Sequence, residues 1–387
     1  MVRYWRLVAL VTGWHVAASV CYYAVYAGTT LFRDAFSLSG VAVGFVITAL
    51  TLGYATFLLP LGVATDRFGE RRTLTVGLLG LSVGAVLVAV APNYPTLLVA
   101  SFLLGSMYGT ATPGTNKAIF DNVGPGRQHR AIGIKQVGPT VGSAASALLV
   151  TGLVGTFVWR VGFLVVAAVG LFAAAVFYAA YTAGSESTAT YPDFRGLLAN
   201  RSYALLVAAG VCVGAAFYTT TGYTVLYVEE SAGVAVATAG VVLAVLQVCS
   251  SAGKILVGWL ADVLPGDQRR TIGSLLAGQT FTGGALFLGL TRTGTFVGTA
   301  AVFAALGVFT LGSTGLYYSG LATLVDEDDV GAASAAGQLA ATVGGLLAPP
   351  LFGYLVDAMG YDAGWGFLGS LSVLAAGLVA AAMVAAG

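Results

Sequence analysis

Only 9% of the 387 residues are charged, whereas 58% are hydrophobic and 54 are glycine. A water-soluble chain of this length needs a charged exterior, so this composition excludes a soluble globular protein and makes lipid the solvent. A formal net charge of +1, from 17 basic and 16 acidic residues, excludes a nucleic-acid-binding surface.

Twelve apolar stretches follow one another along the chain, each about 18–27 residues long and able to cross ~30 Å of hydrocarbon as a helix. The first six cover residues 7–27, 41–64, 74–91, 95–120, 131–154 and 158–182. The second six cover 204–228, 235–261, 272–290, 294–316, 331–356 and 364–386. Between the sets lies the longest polar segment. The expected fold is therefore an all-α membrane protein with twelve transmembrane helices in two pseudo-symmetric six-helix bundles, residues 1–182 and 203–387, joined by a cytoplasmic linker at 183–202.

Basic residues set the orientation. Eleven arginines fall on the side of the N-terminus, from Arg3 to Arg270, against Arg33, Arg160 and Arg292 on the other. The positive-inside rule then puts both termini in the cytoplasm of a multi-pass protein of the cytoplasmic membrane. The first apolar run is too long for a cleavable signal. Cys21, Cys212 and Cys249 stand singly in apolar runs, without metal or disulfide spacing, and read as packing residues.

Two internal echoes imply duplication. Gly62-Val63-Ala64-Thr65-Asp66-Arg67-Phe68-Gly69-Glu70-Arg71-Arg72 closes the second stretch, and Gly258-Trp259-Leu260-Ala261-Asp262, followed by Arg269-Arg270, closes the eighth. Gln136-x-x-x-Thr140-Val141-Gly142 in the fifth matches Gln338-x-x-x-Thr342-Val343-Gly344 in the eleventh. A membrane protein made of two such halves reads as a secondary transporter.

The Gly62-x-x-x-Asp66-Arg67-x-Gly69-x-Arg71-Arg72 run, weakly repeated six spans later, resembles the signature loop of the major facilitator superfamily. The resemblance covers the whole chain, since span count, linker, motif and half-repeat all fit. It implies a conformational latch made of Asp66, Arg67, Arg71, Arg72, Asp262 and Arg269, in which the carboxylate meets exposed N–H groups at a helix end. Gly138-Pro139-Thr140-Val141-Gly142 is similar to the fifth-helix core of proton-coupled drug exporters, but Ile134 and Ser143 replace its flanking glycines and Ser101 stands where their fourth-helix arginine would fall. Pro113-Gly114-Thr115-Asn116-Lys117 and Gly133-Ile134-Lys135-Gln136-Val137-Gly138 give a looser resemblance to organic-anion and cyanate-type uptake carriers.

An ionisable side chain inside a span costs roughly 2.5–3.5 kcal/mol and needs a partner or a wet cavity. Lys254 is the deepest basic residue and shares a helical face with Gln247, Ser251 and Gly258; it either snorkels or meets substrate. His15 lies mid-span beside Ser19, Tyr22 and Tyr26, where an imidazole suits a proton carrier, a substrate donor or plain packing. Lys117 and Lys135 lie nearer the cytoplasmic ends, where snorkelling is the simpler reading, although Lys135 shares a face with Gly138 and Gly142. Tyrosines at 22, 23, 26, 218 and 223 add stacking faces and hydroxyls, or belong to an interfacial belt. The candidate substrate-binding set is His15, Tyr22, Tyr26, Lys135, Gln136, Tyr218, Gln247, Lys254 and Gln338.

No carboxylate lies mid-span, and His and Lys without one suit an anion. Asp326-Glu327-Asp328-Asp329 read as a solvated run. No nucleotide loop, metal-ligand cluster or activated nucleophile is present in the sequence, so the expected protein is no enzyme and carries no cofactor. Its expected partners are the lipid bilayer, a small-molecule substrate and protons, and it is expected to be a monomer. The expected function is secondary active transport of a small organic anion by alternating access, coupled to protons. A multidrug-type efflux antiporter and a non-transporting sensor or scaffold on the same fold are the alternatives.

Overall fold

The computed structural model describes residues 2–124, 127–153, 158–182, 194–326 and 329–385; residues 183–193 of the expected linker, with Glu327 and Asp328 of the acidic run, lie outside them. Every regular element among the described residues is helical. In chain order these are α1 (Val2–Ala27), α2 (Thr29–Phe36), α3 (Gly40–Phe68), α4 (Glu70–Val90), α5 (Tyr94–Tyr108), α6 (Ala111–Asn122), α7 (Gln128–Lys135), α8 (Val137–Gly152), α9 (Trp159–Ala180) and α10 (Phe194–Ala199). They continue with α11 (Arg201–Ala232), α12 (Val236–Val263), α13 (Gln268–Leu290), α14 (Phe296–Leu306), a π-helical turn (Gly307–Leu311), α15 (Ser313–Ala322), α16 (Val330–Met359) and α17 (Tyr361–Ala385).

Nine of these stretches are long and apolar enough to cross a bilayer unbroken, Phe296–Ala322 across the π-turn included. The other three expected spans are α13 and two interrupted helices. The fourth, α5 with α6, breaks at Gly109 and Thr110, and the fifth, α7 with α8, breaks at Gln136. Run length alone could not foretell these breaks, although α6 and α7 are markedly more polar than α5 and α8. Polar residues mark helix starts: Asn93, Asn200, Asp267 and Thr295 accept first-turn N–H groups of α5, α11, α13 and α14.

The exposed surface is apolar, as a lipid-facing one must be. On α4, Val76, Val83, Leu87 and Val90 form an exposed stripe, and on α9, Leu171, Phe172 and Val176 do the same.

Contacts divide the chain into two compact units. Unit 1 comprises Met1–Phe36, Ala49–Tyr191 and Ala235–Ala244; unit 2 comprises Ser37–Thr48, Pro192–Val234 and Val245–Gly387. In unit 1, α1 packs along α8 and α9, and α4 along α5 and α9. In unit 2, α11 packs along α16 and α17, and α13 along α17.

The echoed glycines account for the α1–α8 and α11–α16 seams. A Cβ on Gly142 would come within 2.4 Å of the Val16 carbonyl oxygen, and one on Gly344 within 1.9 Å of the Val211 carbonyl oxygen. Lipid tails are as apolar as leucine, so no hydrophobic effect joins these helices; dispersion across a close backbone approach does, and a glycine permits it. Gly344→Val is therefore expected to destabilise the protein by about 1–3 kcal/mol through overpacking. The check is thermal unfolding in detergent beside Gly377→Val, whose site has no atom within 4 Å of an added Cβ.

Candidate functional site

In unit 1 the polar groups gather around Tyr108 of α5. Tyr22 of α1 stacks on it with ring centroids 4.1 Å apart and planes 13° apart. Ser19 and Tyr108 share a 3.0 Å hydrogen bond, and the His15 ring meets Tyr108 edge-on at 6.4 Å. The Tyr22 and Tyr26 hydroxyls lie 3.4 Å apart, with Thr51 3.5 Å beyond Tyr26. His15 is 3% exposed, and its Nδ1 is buried with no hydrogen-bond partner.

Lys135 ends α7 and is 1% exposed. It does not snorkel: its ammonium donates to Asn116 Oδ1 at 2.7 Å, a neutral acceptor from α6. Lys117 does not reach solvent alone either. It pairs with Asp121 one turn on at 2.8 Å and with Asp66 at 3.8 Å. His15, Tyr22, Tyr26 and Lys135 thus belong to one unit, with Gly138 of α8 lying against His15 Cβ. Gln136 stands apart, exposed at the α7–α8 break.

In unit 2, Tyr318 of α15 donates to Gln338 Oε1 on α16, and Gln338 Nε2 donates to the Tyr218 hydroxyl of α11 at 3.4 Å. Gln247 is buried on α12, and Lys254 follows two turns later, half-buried. The π-turn carries Gly307 onto α12 at Leu246–Ser250, and Gly315 lies on the lysine stem, with a Cβ there 3.2 Å from Lys254 Cγ. Lys254 has no hydrogen-bond acceptor and no carboxylate partner among the described residues.

The expected latch residues are on helices more than in a loop. Asp66 and Arg67 complete the last turn of α3, with the Arg67 guanidinium 5.4 Å from the Phe68 ring centroid. Arg71 ties α4 to α9, donating to the Tyr178 carbonyl at 2.8 Å and lying 4.5 Å from that ring's centroid. Arg72 and Asp262 are exposed. Arg269 donates to the Thr323 carbonyl at 2.8 Å, while Asp267 caps α13, where the Arg270 N–H holds its carboxyl below the usual range.

Sequence reasoning missed Tyr108, Asn116, Tyr318 and Glu70. Glu70, quoted only as part of the Gly62–Arg72 run, is fully buried; it accepts from Tyr181 at 2.8 Å and Asn122 at 3.4 Å. Asn116 stood inside the quoted Pro113–Lys117 stretch, and its place beside Lys117 was the available signal.

Residues 15–323 match the sequence description Major Facilitator Superfamily. The chain belongs to that superfamily. It is a multi-pass membrane transporter and not an enzyme. The hexuronate transporter of Bacillus subtilis (strain 168) is 25% identical over 89% of this chain and 86% of that one. The 3-(3-hydroxy-phenyl)propionate transporter of Escherichia coli (strain K12) is 28% identical over 81% and 79%. A solved bacterial homologue of the human lysosomal transporter Spinster shares the fold, with a TM-score of 0.82 at 16% identity, covering 98% of this chain and 96% of that one.

Asn116→Ala is expected to lower thermal stability more than Lys135→Met does. The first strands a buried ammonium without its acceptor, whereas the second also removes the charge that needed one. Melting curves of the two purified variants make the comparison, and equal losses would remove Asn116 as the acceptor that matters.

Proposed function

We propose that this transporter moves a small organic anion across the cytoplasmic membrane by alternating access, coupled to protons, with both termini in the cytoplasm and the halves 1–182 and 203–387 acting as six-helix bundles. The observation that carries the reading is the unpartnered Lys254 ammonium. Of the three lysines on spans, Lys117 has two carboxylates and Lys135 has Asn116, but Lys254 has no acceptor among the described residues. A cation left so within a membrane span costs free energy unless something anionic meets it there. Hexuronate and hydroxyphenylpropionate, the solutes in the two relatives' names, are organic acids, which supports the same class.

On this reading Lys254 binds the anionic group. Gln247, Gln338 and Tyr218, which lie in the same unit as Lys254, supply polar contacts. His15 is the proton carrier, because imidazole is the side chain whose ordinary titration falls near neutral pH. Asp66 and its basic companions set the conformational balance and do not touch the solute.

Lys254→Ala is expected to weaken anion binding by on the order of 1.5–3 kcal/mol, at least tenfold, with the fold intact; Lys254→Arg shifts affinity, because a planar fork replaces a compact ammonium. The measurement is uptake of labelled hexuronate and aromatic carboxylates by proteoliposomes under an inward pH gradient, with counterflow of hydrophobic cations in parallel. Transport of the acids by Lys254→Ala at the parent rate would reject the anion site. Movement of the cations alone would favour efflux, and movement of neither class would favour the non-transporting alternative.

A further inference from the structure

Asp357 lies two residues before the end of α16, and its carboxylate serves a different helix. The Gly40 and Val41 N–H groups, the first of α3, donate to its two oxygens at 2.8 and 3.0 Å. First-turn N–H groups have no acceptor in their own helix and carry the positive end of its dipole, so a carboxylate is their natural partner. Tyr223 of α11 closes the same joint, its hydroxyl 2.7 Å from the Gly40 carbonyl and 3.0 Å from that of Pro349. Two turns along α3, Thr48 donates to the Leu346 carbonyl at 2.7 Å. These residues all lie in unit 2, which takes Ser37–Thr48 of the chain while α3 from Ala49 onward belongs to unit 1.

The sequence around this joint repeats a pattern met elsewhere. Gly353-x-x-x-Asp357-x-x-Gly360 has the spacing of Gly62-x-x-x-Asp66-x-x-Gly69. Gly69 and Gly360 take φ of 78° and 84°, a region L-residues rarely adopt, and at each one helix stops and the next begins. Duplication does not explain the match, since span eleven corresponds to span five and not to span two. Topology puts the two carboxylates on opposite sides: the second span ends on the side of the termini, and the eleventh ends on the other.

We propose that Asp357 is a positioning residue of the transport cycle, clasping the start of α3 to the end of α16 on the membrane side opposite the termini. That side opens only when the clasp parts. Asp357 is exposed, so water can take over both its acceptor sites and the freed N–H groups once the helices separate. Packing between buried apolar side chains has no such substitute. The clasp is thus firm while closed and replaceable when open, as a step repeated in every cycle requires.

The experiment uses the full-length purified protein with Cys21, Cys212 and Cys249 replaced and one reporter, Leu346→Cys, labelled by a hydrophilic maleimide. Adding Asp357→Ala is expected to speed labelling about tenfold, the equivalent of losing one charge-assisted contact. Tyr223→Phe moves it the same way. Asp357→Asn, which keeps an acceptor oxygen without the charge, falls between, and Asp66→Ala moves it in the opposite sense. Melting temperature is read alongside. Unchanged labelling in Asp357→Ala and Tyr223→Phe overturns the proposal, and so does a lower melting temperature with labelling unchanged, which would make Asp357 a static brace. If Asp357→Ala does not purify as a folded protein, Asp357→Asn and Tyr223→Phe decide by the same criterion.

Discussion

Hydrocarbon offers a backbone no hydrogen-bond partner, so each span must satisfy its own N–H and C=O groups as a helix and joins its neighbours by close packing and side-chain hydrogen bonds. The rest of this structure depends on that constraint. It is why α1 with α8 and α11 with α16 meet where Gly142 and Gly344 leave nothing between one helix and a neighbouring carbonyl. The same constraint puts the polar side chains to work at helix ends, where backbone groups run out of partners within their own helix.

Charge inside the spans follows a parallel logic. Lys117 is paired locally with Asp121 and Asp66, while Lys135 is hydrogen-bonded to Asn116 and Glu70 to the hydroxyl of Tyr181 and the amide of Asn122. Each is a private arrangement within one unit. Lys254 departs from the pattern, and a departure from a rule otherwise kept is what one expects of a group whose partner arrives from solution.

The span count, the half-repeat and the family were legible because they rest on signals spread over many residues: run length, loop charge and two spaced echoes. The helix breaks at Gly109–Thr110 and Gln136 were not, since run length does not register them; the polar residues beside them, Thr110 and Lys135-Gln136, were the available signal. Snorkelling is the cheaper solution for a lysine near a span end, but it was the wrong one for Lys135, because Asn116 lies on a separate helix segment and only packing brings the two together. Glu70 and Asp357 were equally illegible as partners of other segments: one is buried against Tyr181 and Asn122, and the other caps a helix more than three hundred residues away in sequence. Pairwise contact between distant segments is the information a single sequence does not display.

The π-turn at Gly307–Leu311 has a further consequence for Lys254. Its i to i+5 closure, seen in the 2.8 Å bond from the Gly312 N–H to the Gly307 carbonyl, accommodates one residue more than an α-helical turn would. One extra residue rotates everything after it by about 100° relative to everything before. Ser313–Ala322 is therefore out of phase with Phe296–Leu306, and an unbroken 3.6-residue period drawn through the whole span would assign the wrong face to one end. In the phase actually adopted, Gly315 is the residue laid over the lysine stem. A shift of one position would bring Thr314 or Leu316 there instead, each with a side chain, so the room this lysine has along its stem is set by the length of a different helix.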